Sequence, residues 1–279
     1  MYINHIDYKT NFHHNIKKIP VSDRVKQYFE DLYSRNGTEL SIDMSVFVND
    51  YMALGKLLFD EIYSTHELKN AQTIFFPVWA VSWNMEYATP ELHWKEKYQI
   101  DATFLDVRDC GSLCVYYAFH LMLKLQKSET EKNNVCCSIE NAFLPNLKNN
   151  HGISPSMNYI ASVIFSHHSN DKNSLKIIMC DIYDMHQINS IDQLKKTINN
   201  VMQTYDISEN EHMIYIRKNT DYFSIENCIS IAYPISSGFA YYCLSLIYKS
   251  RKKINFKNIF IIDLDHANSL MGILFVKIQ

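Results

Sequence analysis

Glycine is scarce in this chain. Six are present in 279 residues, where an average usage of about 7% would supply roughly twenty. Sites that cradle phosphate or build an oxyanion hole need glycine where backbone closes on a ligand, so the shortage counts against several enzyme classes at once. It also fits an AT-rich coding sequence, which favours Asn, Lys, Ile and Tyr codons. Long apolar runs are missing too. The strongest, Ile74 to Trp83, falls well short of the roughly 20 residues a spanning helix needs, and the polar start MYINHIDYKT is no secretory signal. There is no excess of positive charge: the net charge is −3, the pI is about 6.4, and Lys and Arg are scattered, which gives no case for nucleic acid or an anionic membrane. The seven cysteines lack any C-x-x-C spacing, so neither a zinc site nor a disulfide framework is expected. A cytoplasmic protein without metal or cofactor is the expectation.

What is present is apolar sequence in quantity, 47% of the chain, enough for a sizeable core. The organising stretch is TFLDVRDCGSLCVYYAFHLMLKL, Thr103 to Leu125. It reads as a short strand, a tight polar turn from Arg108 to Ser112, and a helix apolar on nearly every side. Such an elbow is where a nucleophile would be offered to a pocket beside helix N-terminal amides. Before it, an amphipathic helix is predicted over 43–64 from Phe47, Tyr51, Leu54, Leu58 and Ile62, then a strand over 74–82 whose unbroken apolar character implies a sheet covered on both faces. A further helix is predicted over 89–98. After the elbow, strands are predicted over 135–140, 159–166, 175–182, 213–217, 228–232, 259–264 and 270–277, with helices over 190–205 and 237–250. Residues 1–42 show only an apolar start, a His-rich piece and a short helix over 22–33. Alternating strands and helices argue for an α/β fold. The rhythm repeats, so two pseudo-duplicated βαβαβ halves are expected, residues 1–168 and 169–279.

The order of elements resembles the thiolase fold, in its β-ketoacyl-ACP synthase III branch. Three stretches carry the resemblance: NAQTIFFPVWAVSWNMEYATPELHWKEKYQIDATFLDVRDCG; NNVCCSIENA with NYIASVIFSHH; and NIFIIDLDHANSLMGILFVKI. The resemblance implies a layered α-β-α-β-α arrangement. It also implies Claisen condensation by a Cys nucleophile at the helix start, with His and Asn donors. The residues depart from that pattern. Counted from Asp106, the nucleophile position falls on Gly111, with Cys110 one residue early, a shift that turns a side chain by about 100°. The His position falls on Arg217, and the Asn position on Pro234 in AYPISSG. Arg is permanently protonated and Pro has no side-chain donor. Short relatives of this kind resemble the non-catalytic subunit of heterodimeric ketosynthases of the alkylquinolone-forming type, whose elbow reads Asp-x-x-Asp-Ser-Ser where this chain has Asp106-Val-Arg-Asp109-Cys-Gly.

That resemblance implies no catalytic residue here. It implies pairing with an active ketosynthase III-like subunit in secondary metabolism, with acyl carrier protein met through that partner. The strand Tyr159 to Phe165 and the loops near Glu86 and Tyr87 are the expected contributors to the interface. Two other readings stand beside it. One is a divergent acyltransferase using Cys110 with His120, His212 or His266; the other is a homodimeric module holding an acyl chain or small ligand. Cys110 read blandly is a core cysteine, as is Cys114, and His266 a solvated turn residue. The pairs His13-His14 and His167-His168 lack further ligands at useful spacing. Phe75, Phe76, Trp79 and Trp83 are core, or else the lining of a tunnel or dimer face.

Overall fold

A computed structural model describes residues 1–10, 27, 31, 51–64, 67–79, 90–108, 110–125, 132–140, 157–169, 171, 173–187, 191–208, 211–218, 226–234, 236–265 and 267–279. Among the described residues the strands are β1 (Tyr2–Thr10), β2 (Ala71–Val78), β3 (Thr103–Arg108), β4 (Asn133–Glu140), β5 (Tyr159–Ser166), β6 (Leu175–Asp184), β7 (His212–Arg217), β8 (Cys228–Ile231), β9 (Asn258–Asp265) and β10 (Leu270–Ile278). The helices are α1 (Tyr51–Ser64), α2 (Pro90–Lys97), α3 (Cys114–Leu125), α4 (Ile191–Thr204) and α5 (Phe239–Ser250). Of the predicted helix over 22–33 only residues 27 and 31 are described, both helical; the start of the one over 43–64 and the expected contacts at Trp83, Glu86 and Tyr87 lie outside the described residues.

The strands form one ten-stranded sheet in the order β3-β2-β4-β5-β1-β6-β10-β9-β7-β8. Outward from its middle, each side runs first, fifth, fourth, second and third strand of its half. In each half the last strand is antiparallel to its neighbours, while the pairs β4–β2–β3 and β9–β7–β8 are parallel. The helices repeat in step: α1 and α4 follow the first strand of each half, and α3 and α5 follow the third. The pseudo-duplication is thus a property of the chain's topology.

The strand period of two sorts side chains into layers. From β2, Ile74 and Phe76 join an outer core with Leu54, Leu58, Phe59 and Ile62 of α1 and Trp94 of α2, while Phe75 points into a central core. From β9, Ile259 and Ile261 face that central core, and Phe260 and Ile262 meet Leu194, Ile198, Val201 and Met202 of α4. Helices α3 and α5 supply only the central core. The result is α-β-α-β-α, with α3 and α5 sandwiched between the two arms of the sheet. Cys136 and Cys137 fall on opposite faces for the same reason. In the outer layer Trp94 lies so close to α1 that a Cβ at Gly55 would stand 1.9 Å from its ring.

Two findings differ from the sequence reading. The polar start is a strand: β1 buries only Ile3 and Ile6 fully and carries a bulge between Ile3 and His5, so its alternation is broken. Yet it forms the seam between the halves, pairing with β5 on one side and with β6 at Tyr2–Lys176 and Ile3–Leu175 on the other. The strand from Tyr159, expected at an interface, lies between β4 and β1. Both of its edges are satisfied, so it has none to offer another chain. Among the described residues the free edges are those of β3 and β8. No helix is long and apolar enough to cross a membrane among those residues.

Candidate functional site

The parallel strands of both arms end around the starts of α3 and α5, and a group of buried polar residues, Ser112, Ser138, Glu140, Arg217, Ser236, Ser237, Asp263 and Asp265, collects there. At the elbow, Gly111 has φ +57°, a left-handed conformation that an L side chain adopts only with strain. The space beside it is filled. A Cβ at position 111 would stand 2.2 Å from Asp265 Oδ2 and 2.6 Å from Asn268 Nδ2. Asp265, 4% exposed at the end of β9, accepts from the Ser112 amide at 3.0 Å and from Asn268 Nδ2 at 3.1 Å. The N-terminal turn leading into α3 is therefore served by the chain's own carboxylate.

The internal repeat makes the same arrangement twice. Glu140 closes β4 as Asp265 closes β9. Its carboxylate reaches the other central helix, accepting from the Ser237 amide at 3.0 and 3.2 Å and from the Ser237 hydroxyl. Each half thus sends a carboxylate from its fourth strand to the head of the other half's central helix. Around Glu140 the polar groups continue: Tyr159 Oη meets Ser237 Oγ at 2.8 Å and Ser138 Oγ at 2.9 Å, and Tyr8 Oη meets Tyr233 Oη at 2.5 Å. Burial pushes the Glu140 carboxyl up to about 7, against the pull of its serine hydrogen bonds and of Arg217.

Arg217 ends β7 and is 2% exposed. Its guanidinium donates to Asp263 Oδ2 at 2.8 Å and to the Ser236 carbonyl at 2.6 Å, and it lies over the rings of Tyr233 and Phe239. Burial pushes Asp263 up to about 7, with Arg217 opposing. The position where the resemblance placed a His donor is thus a committed ion-pair partner. Pro234 is exposed.

Cys110 is half-buried and its Sγ donates to the Arg108 carbonyl at 3.2 Å. Cys114, one turn on, is buried and donates to the Val78 carbonyl at 3.4 Å; a hydrogen bond with Cys110, then burial, raises its thiol pKa far above the ordinary value. The histidines proposed as bases are elsewhere or undescribed. His120 faces β6, with Nδ1 2.6 Å from the Cys180 carbonyl and 3.2 Å from Asp181 Oδ1. His212 pairs with Asn258 at the far end of β9, seven residues and about 23 Å of strand from Asp265. His266 and the pair His13-His14 lie outside the described residues. Phe75 and Phe76 are core, on opposite faces of β2.

No model of a protein family matches the chain, and no curated protein aligns with it. Solved structures do. ChlB3, described as an acyltransferase, superposes with a TM-score of 0.65 at 8% identity, covering 99% of this chain and 97% of its own. AbyA1, a tetronic acid condensing enzyme, gives 0.65 at 6% identity over 99% of both chains. A variant of OleA from Xanthomonas campestris gives 0.64 at 11% identity, over 99% of this chain and 97% of its own. The fold is thiolase-like. At these identities the superposition carries architecture alone, and the thiolase-like scaffold here encloses Arg217, which the sequence reading placed at the His position, together with Glu140, Asp263 and Asp265, which it did not single out. Their signal was faint but present: Glu140 ends an otherwise apolar strand, and IIDLD sets two carboxylates at alternate positions of another.

Proposed function

We propose that this chain is a catalytically silent ketosynthase III-like subunit that pairs with an active ketosynthase in acyl-thioester condensation for secondary metabolism. One observation carries the reading: the place a nucleophile would take at position 111 holds the Asp265 carboxylate, with Asn268 beside it. A carboxylate on the N-terminal amides also opposes formation of a second anion there, whether a thiolate or an oxyanion. Arg217, tied to Asp263 and the Ser236 carbonyl, has no lone pair with which to act as a base. The similarity of the fold to an acyltransferase and a condensing enzyme supports the substrate class, and the free edge of β3 supports a partner.

Co-expression with the products of the neighbouring genes, searched for a ketosynthase III-like chain with an intact Cys-His-Asn set, tests this reading. The expected result is a complex whose condensation rate changes less than about two-fold when Cys110→Ser is introduced here, and is abolished when the partner's own nucleophile is removed. A rate loss of tenfold or more from Cys110→Ser would make this chain a catalyst.

A further inference from the structure

Cys110 and Cys114 stand one turn apart where β3 passes into α3, and their surroundings bring the two sulfurs together. Cys110 Sγ donates to the Arg108 carbonyl at 3.2 Å, and Cys114 Sγ to the Val78 carbonyl at 3.4 Å. Arg108 and Val78 are a register pair that closes the parallel ladder of β3 and β2, and neighbouring strands lie about 4.8 Å apart. The thiols are thus held against adjacent acceptors, and they are hydrogen-bonded to each other. The two differ in access. Cys110 is half-buried, whereas Cys114 is 0% exposed. The Cys114 thiol also keeps its proton, through its hydrogen bond to Cys110 first and burial second, so Cys110 is the sulfur that meets a solute. Of the other cysteines, Cys136, Cys137, Cys180 and Cys243 are buried, and Cys228 lies on β8 in the second half.

We propose that Cys110 and Cys114 form a peroxide-sensitive thiol pair that closes to a disulfide. In the first step Cys110 Sγ attacks one oxygen of hydrogen peroxide and the O–O bond breaks. The thiol proton goes to the departing hydroxide, which leaves as water, and Cys110 becomes a sulfenic acid. In the second step Cys114 Sγ attacks the Cys110 sulfur, the S–S bond forms as the S–O bond breaks, and the hydroxide leaves as water with the Cys114 proton. The sum is two thiols and one peroxide giving one disulfide and two waters, two electrons passing from sulfur to oxygen. Neither step needs an oxyanion hole, so the Asp265 carboxylate on the Ser112 amide, which stands against acyl transfer, does not block this chemistry. It does disfavour a standing thiolate at the turn, so the first step runs at the pace of an ordinary thiol. Proximity governs the second, because a thiol already in contact with the sulfenic acid outruns further oxidation from solution. The disulfide consumes both S–H donors, so oxidation withdraws one hydrogen bond from the end of β2 and one from the end of β3.

Treating the reduced full-length chain with hydrogen peroxide, then alkylating it in denaturant and mapping its tryptic peptides by mass, tests this. Both cysteines fall in one peptide, residues 109–124. That peptide should lose two hydrogens and take up no alkylating agent, and dithiothreitol should restore both thiols. The disulfide should exceed sulfinic acid at Cys110 by at least about tenfold. In Cys114→Ser the sulfenic acid has no partner, so dimedone should trap it at Cys110 and sulfinic acid should accumulate in place of the disulfide. Should Cys114→Ser fold poorly, the product ratio in wild type decides. Wild-type chain with sulfinic acid at Cys110 and Cys114 still alkylated would overturn the proposal. So would a peptide left unmodified at a dose that oxidises free glutathione, or a disulfide joining either residue to a different cysteine. No acyl thioester is present in this measurement, so catalytic silence and the thiol pair can fail separately.

Discussion

Gly111 and Asp265 occupy a place that admits only one of two side chains. A Cβ at 111 meets Asp265 at 2.2 Å in a left-handed backbone, so Gly111→Ala is expected to lose about 2–4 kcal/mol of stability from strain and overpacking together. Denaturant unfolding measures it, and Asp265→Ala in the same chain should recover part of the loss, since the two residues touch. Glu140 sets a second expectation. Its carboxyl is raised to about 7 in the folded chain from the ordinary range near 4.5 in the unfolded one, so the folded state holds the proton more tightly. The resulting stability is fully present below about pH 4.5 and is lost as pH rises towards 7, by about 3 kcal/mol for the full shift. Asp263, raised in the same direction, adds to the slope. Unfolding midpoints compared at mildly acidic and mildly alkaline pH should therefore favour the acidic side, and Glu140→Gln should remove a large share of the difference. Arg217→Met strands a buried carboxylate and is expected to cost about 3–5 kcal/mol by the same unfolding measurement, less any part recovered by protonation of Asp263.

Among the elements, β4, β5, β9 and β10 and helices α3, α4 and α5 were legible because apolar period and length agreed. For example, Leu194, Ile198 and Val201 of α4 repeat at helical spacing and are all buried. β1 was not legible: a bulge and five polar side chains hide a strand whose burial is decided by its neighbours β5 and β6. The elbow was legible as strand, turn and helix. What stands beside Gly111 was not, because Asp265 lies 154 residues away in sequence and arrives only through the folding of the second half. Long-range partners of this kind leave no periodicity to read. At the outer layer, Gly55→Ala would drive a methyl into the Trp94 ring. A thermal midpoint lowered by several degrees, equivalent to about 1–3 kcal/mol, is expected.

The molecule as a whole is two copies of one topology joined at β1 and β6, each holding the other's central helix by a carboxylate. That reciprocity suits a scaffold that has kept its shape while its elbow is filled from within. Intact-mass analysis after exposure to acyl-CoA and acyl carrier protein thioesters tests the account most directly. The purified chain should keep its unmodified mass, in wild type and Cys110→Ser alike; a stable acyl adduct that maps to Cys110 and vanishes in Cys110→Ser would contradict it.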